Sequence, residues 1–381
     1  MEDKMKLSRF WLIGLVLLMG VEVLPAIVVN GGKGLPHTKS AFTTRKGQFW
    51  LQGQIRFWGK SAEFEYPTLG IESGSTIWVV QQIASFNYGV SNHLSIALSP
   101  ILYQDTHQDK GEDLIGDALL DFKFGNYRIE KKPLWLGFNI GTRLPLGSQY
   151  NIVYEDYSSG RFEFGVSGIL TWRYAAADLK NDYRIHTNIG YWNHLDKGVN
   201  LVEGLPREYS YVTKPSQSFN YALGLEFPTQ LFDYGLEVYG ISWITQPPAG
   251  AAGRENYLFM NVSIGYKPHP RFKFYTNADL RLSENRETTV PPRVAFSGAP
   301  NYPGWRIYLG LRFLVLPTSL YDMHTQTLQE IREEKRRTLK LQLEHEKRKT
   351  EAARQEVERL QAEKEKKERD KSSKIVMEEK K

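Results

Sequence analysis

Residues 218–243 read SFNYALGLEFPTQLFDYGLEVYGISW, and the rest of the chain repeats their pattern. Phe219, Tyr221, Leu223, Leu225 and Phe227 share one face, apolar or aromatic throughout, while Asn220, Ala222, Gly224 and Glu226 between them are small or polar. After 228–233 the alternation resumes, with Tyr234, Leu236 and Val238 opposed to Gly235, Glu237 and Tyr239. A period of two marks β-strands, because successive side chains point to opposite faces. The stretch therefore predicts two strands about a short turn. Its aromatic face could meet a soluble core, or it could meet lipid with the polar face turned into a lumen.

The same alternation recurs in both directions. Upstream it covers 49–58, 76–88, 94–103, 117–124, 134–143, 161–174 and 183–192, and downstream 258–266, 272–282 and 305–315. With the opening pair this makes about twelve strands of roughly ten residues, the length a tilted membrane strand needs. The connections alternate in length as well. Segments 89–93, 127–133, 175–182, 228–233 and 267–271 are short. Longer, charged or Gly/Pro-rich segments fall between them, at 59–75, 104–116, 144–160, 193–217, 246–257 and 283–304. Outer-membrane barrels sort their loops this way, and soluble sandwiches have no reason to.

Charge placement decides the orientation. Arg56, Lys123, Arg143, Glu163, Arg173, Arg184, Glu226, Glu237, Lys273, Asp279, Arg281, Arg306 and Arg312 all fall on the polar face. An unpaired charge in a dry core costs several kcal/mol, whereas a wet lumen lets it pair or stay hydrated. The opposite face is nearly free of charge, as lipid requires, since a basic residue at mid-bilayer costs about 2–4 kcal/mol. The fold expected over 48–316 is therefore all-β, a transmembrane up-and-down antiparallel barrel with these residues lining its lumen. Bases outnumber acids among them, which predicts a mild preference for anions. Past Gly240 the phase places Ile241 and Trp243 inward. Either a bulge corrects this, as glycine readily allows, or the two residues form an aromatic constriction near the outer mouth.

The composition fits. Aromatic residues make up 13% of the 381-residue chain, which suits interfacial girdles. The mean hydropathy of −0.44 excludes a bundle of membrane helices but not a barrel. There is no cysteine, so disulfides, zinc–thiolate sites and a thiol nucleophile are excluded. The net charge of +6 comes from interspersed signs and gives no nucleic-acid patch.

Lys4, Lys6 and Arg9 precede an apolar run from Phe10 and then Leu24-Pro25-Ala26, a signal-peptide pattern over 1–26. A single anchoring helix is the alternative reading of that run. Residues 27–47 read as a short periplasmic lead-in.

After Leu316-Pro317 the composition changes. Residues 321–371 are dominated by Glu, Lys, Arg, Gln and Leu, good helix formers with acid-first i,i+4 pairs such as Glu344–Arg348. This predicts a long charged helix or a weak coiled coil, with 372–381 a disordered tail. By strand parity the helix starts in the periplasm, where peptidoglycan, a periplasmic protein or the tails of a homo-oligomer are the partners considered.

Several short runs carry a resemblance. Gly116-Asp117-Ala118-Leu119-Leu120-Asp121-Phe122-Lys123-Phe124, Gly141-Thr142-Arg143-Leu144-Pro145-Leu146-Gly147, Asn188-Ile189-Gly190-Tyr191 and Gly235-Leu236-Glu237-Val238-Tyr239-Gly240 are similar to Gram-negative outer-membrane barrels. The family resembled groups putative transporters of the phenol meta-cleavage pathway type. Leu146 departs from the Thr that family often has before Gly. The resemblance implies a passive outer-membrane channel for a small solute, bounded by outer-membrane lipid.

The alternative is a structural anchor whose barrel is plugged, and a barrel-type lipase or protease is a distant third. His186 beside Thr187 and Asn188 has no serine two positions away and reads as a wall residue. Asp105, His107, Asp109, Glu112 and Asp113 read as a solvated outer loop. No catalytic, cofactor or metal site is expected.

Overall fold

In a computed structural model of the chain, the residues described are 31–66, 71–106, 116–129, 132–175, 182–286, 288–290 and 301–317, with 336, 339, 343, 344 and 346–364 in the tail. The signal-peptide reading of 1–26, most of the 105–113 acidic cluster and the 372–381 tail lie outside them. The chain divides into two units, 1–319 and 320–381.

The first unit is a closed barrel of twelve strands. In chain order these are β1 (Phe49–Tyr66), β2 (Ile71–Gly89), β3 (Leu94–Thr106), β4 (Ala118–Arg128), β5 (Leu134–Leu144) and β6 (Glu163–Ala175). They continue with β7 (Asp182–Asn193), β8 (Gln217–Pro228), β9 (Phe232–Thr245), β10 (Tyr257–His269), β11 (Phe272–Arg281) and β12 (Trp305–Leu316). Each strand pairs antiparallel with its neighbours in sequence, and β1 closes on β12 from Phe49↔Leu316 to Phe57↔Ile307. Closure leaves no sheet edge, the condition a membrane sheet must meet.

One connection differs from the sequence reading. Segment 59–75, expected as a long loop, is mostly strand, with β1 and β2 paired continuously as far as Tyr66↔Ile71. Ser61 opposite Thr76 still carries a ladder pair there, their hydroxyls 2.9 Å apart. The loops after β5, β7, β9 and β11 remain long and the turns after β2, β8 and β10 short.

The wall alternates as the sequence requires. In β8 the exposed Phe219, Leu223 and Phe227 point outward, and the buried Ala222, Gly224 and Glu226 point inward. Leu223 is 54% exposed and Leu309 61%, which in a water-soluble sheet would leave a large apolar surface unprotected. Outward aromatics crowd the short-turn end, where Tyr174 and Tyr183 stack at 4.7 Å, Phe232 lies 5.3 Å from Tyr266, and Phe272 lies 6.3 Å from Phe313. This is a girdle of the kind found at a membrane interface.

The second unit holds an exposed helix over 346–364, in which Lys349 reaches Glu346 at 3.5 Å and Arg359 reaches Glu363 at 3.9 Å.

Candidate functional site

The barrel is not hollow. Segment 31–47, expected as a lead-in outside the barrel, instead enters the lumen as a hairpin. Leu35 N–H donates to the Thr38 carbonyl at 2.8 Å and closes a turn around Pro36-His37, and Gly34 bridges to Lys39 just below it. Proline at the second turn position presets the φ that the bend needs. The chain returns to the short-turn end, where Gly47 N–H reaches the Gly89 carbonyl at 2.8 Å.

The wall is shaped to receive this hairpin. A Cβ on Gly224 or Gly235 would lie 2.3 or 2.4 Å from the side chain of Leu35, so two inward glycines form the socket that buries it. That burial is worth about 1.5–3 kcal/mol. On the other side of the lumen, a Cβ on Gly125 would lie 2.2 Å from the Ala41 carbonyl oxygen, so hairpin backbone lies directly on the wall.

Side chains from five strands then hold the hairpin. His37 N–H donates to both oxygens of Glu237 on β9, at 2.9 and 3.1 Å, and Thr38 Oγ1 donates to the same carboxylate at 2.7 Å. His37 Nε2 lies 3.1 Å from Asp279 on β11, and its ring stacks 3.8 Å from Tyr239. Lys39 Nζ reaches Asp121 on β4 at 2.5 Å, and its backbone N–H donates to Asn188 on β7 at 2.6 Å. Lys123 on β4 donates to the carbonyls of Lys33 and Ser40 at 3.0 and 3.3 Å. Burial is the largest influence on the His37 imidazole and lowers its pKa. Asp279 and then Glu237 outweigh it, and the net pKa is raised above the ordinary 6.5.

Thr171 on β6 completes the seat through a relay. Its Oγ1 accepts from Ala41 N–H at 2.8 Å and so donates to His186 Nδ1 at 2.9 Å, which leaves Nε2–H for Glu226 at 3.0 Å. Hydroxyl, imidazole and carboxylate in line are the parts of a nucleophilic triad. Here all three are fully buried beneath the hairpin and the hydroxyl is engaged by backbone, so the set anchors Ala41.

The long-loop end is closed differently. Tyr157, Val199, Leu201, Val212 and Ala251, from the loops after β5, β7 and β9, form one apolar cluster. Tyr154 and Val153 pack on Trp58, Ile77 and Val79 in another. Tyr157 O–H donates to Asp196 at 2.6 Å, Ala252 N–H donates to Asn151 at 2.7 Å, and Tyr302 O–H donates to the carbonyl of Glu255 at 3.0 Å. Burial, and next the charge of Asp196, push the Tyr157 phenol well above its usual range, which keeps it a donor.

All thirteen charged residues placed on the polar face by the sequence do point inward. They are buried except Arg143, Arg173 and Arg281, which are half-buried. They do not form an open basic lining. Arg56 pairs with Glu155, Arg143 with Asp117 at 2.6 Å, Arg184 with Glu226 at 3.3 Å, and Lys273 with Asp233 at 2.6 Å. Glu163 accepts from Trp192 Nε1 at 2.8 Å and Arg281 donates to the Tyr302 carbonyl at 2.9 Å. Arg306 lies over the Phe259 ring and Arg312 over Trp50. Asp117, Asp121, Asp233 and Glu155 stand outside the expected lining, and they offset part of the basic excess behind the expected anion preference, two of them also pairing with Lys39 and Lys267.

Between hairpin and loops lies a cavity of about 370 Å³. Pro36, His37 and Lys39 form its floor, and Ile152, Glu155 and Tyr157 come from the loop above. Ile241 and Trp243 line it, so the alternative to a bulge at Gly240 is the one realised. The register of β9 with β8 stays regular through Gly240 and slips only beyond Trp243.

No family model matches the chain, and no curated protein matches it. The resemblance to the phenol meta-cleavage type therefore stands on the quoted runs alone. Among solved structures the chain is similar to an outer membrane channel from Pseudomonas putida F1, at 10% identity over 72% of this chain and 97% of that chain, with a TM-score of 0.43. It is similar also to the NanC porin, at 10% identity over 68% and 98% of the two chains and a TM-score of 0.41. A third is the Pseudomonas putida toluene transporter TodX, at 10% identity over 71% and 90% and a TM-score of 0.33. Likenesses of this size carry no argument about this chain, whose barrel class rests on its own strand order.

Proposed function

We propose that this protein is an outer-membrane channel for small solutes that rests closed, its lumen occupied by the hairpin 31–47, and that it is not an enzyme. The observation that carries this reading is the seat itself. A closed barrel with an apolar outer face holds a separate segment of its own chain through exchangeable polar contacts to wall side chains. Such contacts are worth about 0.5–1.5 kcal/mol each, because water in an open lumen would replace them. A plug held this way can leave, and a hydrophobic core cannot.

We further propose, on strand parity alone, that both ends of the barrel face the periplasm and that the 321–371 segment starts there. Peptidoglycan, a periplasmic protein or a second copy of the chain are the partners that placement allows. The filled lumen also favours the plugged structural anchor as a second reading. Planar-bilayer recording separates the two. The channel reading expects rare, brief openings from the intact chain and steady conductance after deletion of 31–45. A folded barrel that stays silent after that deletion would instead be an anchor.

A further inference from the structure

The cavity above the hairpin is a second feature of the lumen, and its chemistry is specific. At about 370 Å³ it falls near the lower end of small-ligand sites, about 300–1,000 Å³. Two indoles line it, and both are held in place. Trp192 donates from Nε1 to Glu163 at 2.8 Å, and Trp243 donates to the Glu255 carbonyl at 3.3 Å with Tyr157 edge-on at 5.7 Å. Lys39, Arg56, Arg143 and Arg306 supply positive charge to the lining. Asp121, Glu155, Asp156 and Glu163 supply as many negative charges. Asn139, Asn188, Ser167 and Ser218 also line it.

We propose that this cavity binds a neutral polyhydroxylated solute of one or two rings, a mono- or disaccharide; the proposal rests on the channel reading. The four lining carboxylates offset the four lysine and arginine cations, and His37 in the floor is faced by Asp279 and Glu237, so an anion gains no net attraction. A hydrocarbon would take water from those polar groups and return no hydrogen bond, at about 1–3 kcal/mol for each group left unpaired. A sugar ring offers both things the lining asks for. Its C–H face packs on a fixed indole, and its hydroxyls both donate to carboxylates and accept from guanidinium groups. The floor of the site is the hairpin tip, where His37 stacks on Tyr239 and Lys39 pairs with Asp121. A bound ring therefore touches the plug itself.

Equilibrium dialysis of the intact chain in detergent, against radiolabelled sucrose, benzoate and toluene in turn, tests this. Saturable one-site sucrose binding is expected, unchanged by added salt. It should weaken about tenfold or more in Trp243→Ala and in Trp192→Ala, and by less than about threefold in Trp192→Phe, which keeps an aromatic face. Saturable binding of benzoate or toluene without sucrose would overturn the proposal, as would no binding of any of the three. Conductance of the barrel lacking 31–45 is read separately. Steady current there without sucrose binding removes the ligand class and leaves the channel, whereas sucrose binding without current removes the channel.

Discussion

The two ends of the lumen are closed by different chemistry. At the long-loop end, apolar clusters around Tyr157 and Tyr154 lock three loops to one another and to the rim. At the short-turn end, a hairpin lies on polar side chains and bare glycines, with two large apolar anchors, Leu35 in its glycine socket and Phe42 edge-on to Trp135 at 5.5 Å. Opening the first means exposing apolar surface. Opening the second means exchanging hydrogen bonds for water and withdrawing Leu35 and Phe42. On the channel reading proposed above, the hairpin is therefore the cheaper gate and the loops a fixed roof.

That contrast can be broken at the socket. Gly224→Leu puts a side chain where Leu35 sits, and overpacking of this kind costs about 1–3 kcal/mol. Because the barrel wall is braced on both sides, the hairpin should yield rather than the wall. We expect single-channel openings at least tenfold more frequent than in the intact chain, with unchanged thermal stability of the barrel. Tyr302→Phe in the roof, which removes the donor to the Gly253 and Glu255 carbonyls, should leave the opening frequency within about twofold.

A smaller effect is expected from pH. Around His37 stand Glu237 and Tyr239 on β9, Asp279 on β11, and Arg306 and Tyr308 on β12. Docking raises the pKa of His37 above 6.5, so protonated His37 is the form the seat prefers. The contribution is fully present below the undocked value and is lost as pH rises through the docked one. Opening frequency should therefore rise on the alkaline side of about pH 6.5, and His37→Gln should flatten that rise. A rise on the acid side would contradict the assignment.

Most of the barrel was legible from period and parity. The predicted strands coincide with β1 to β12, because a wall between lipid and water imposes alternation at every step. The exception, 59–75, is where that alternation fades and only the β1–β2 ladder maintains the strands. The inward position of the thirteen charges was legible for the same reason. Their partners were less so. Glu155 lies on a loop, and loop geometry has no period to read, while Asp121 and Asp233 were in plain view on inward faces.

The hairpin was the larger omission. Its residues 31–47 are small, polar and glycine-rich, the composition of a tether, and nothing local says that a tether will turn into a lumen. A faint signal existed in the wall. Gly137, Gly224 and Gly235 stand at inward positions where a barrel filled by its own side chains would place larger residues, and such gaps mark close approach of another backbone.

The most direct test uses the absence of native cysteine. A Cβ on Gly137 would lie 3.4 Å from Ala41 Cβ, close to the 3.5–4.5 Å spacing of a disulfide. Ala41→Cys combined with Gly137→Cys would therefore tether the hairpin to β5. Planar-bilayer conductance of this variant should vanish on oxidation and return to the intact chain's behaviour on reduction, with the chain lacking 31–45 conducting under both conditions. Equal conductance from the oxidised and reduced variant would show that solutes pass without moving the hairpin, and would contradict its role as the gate.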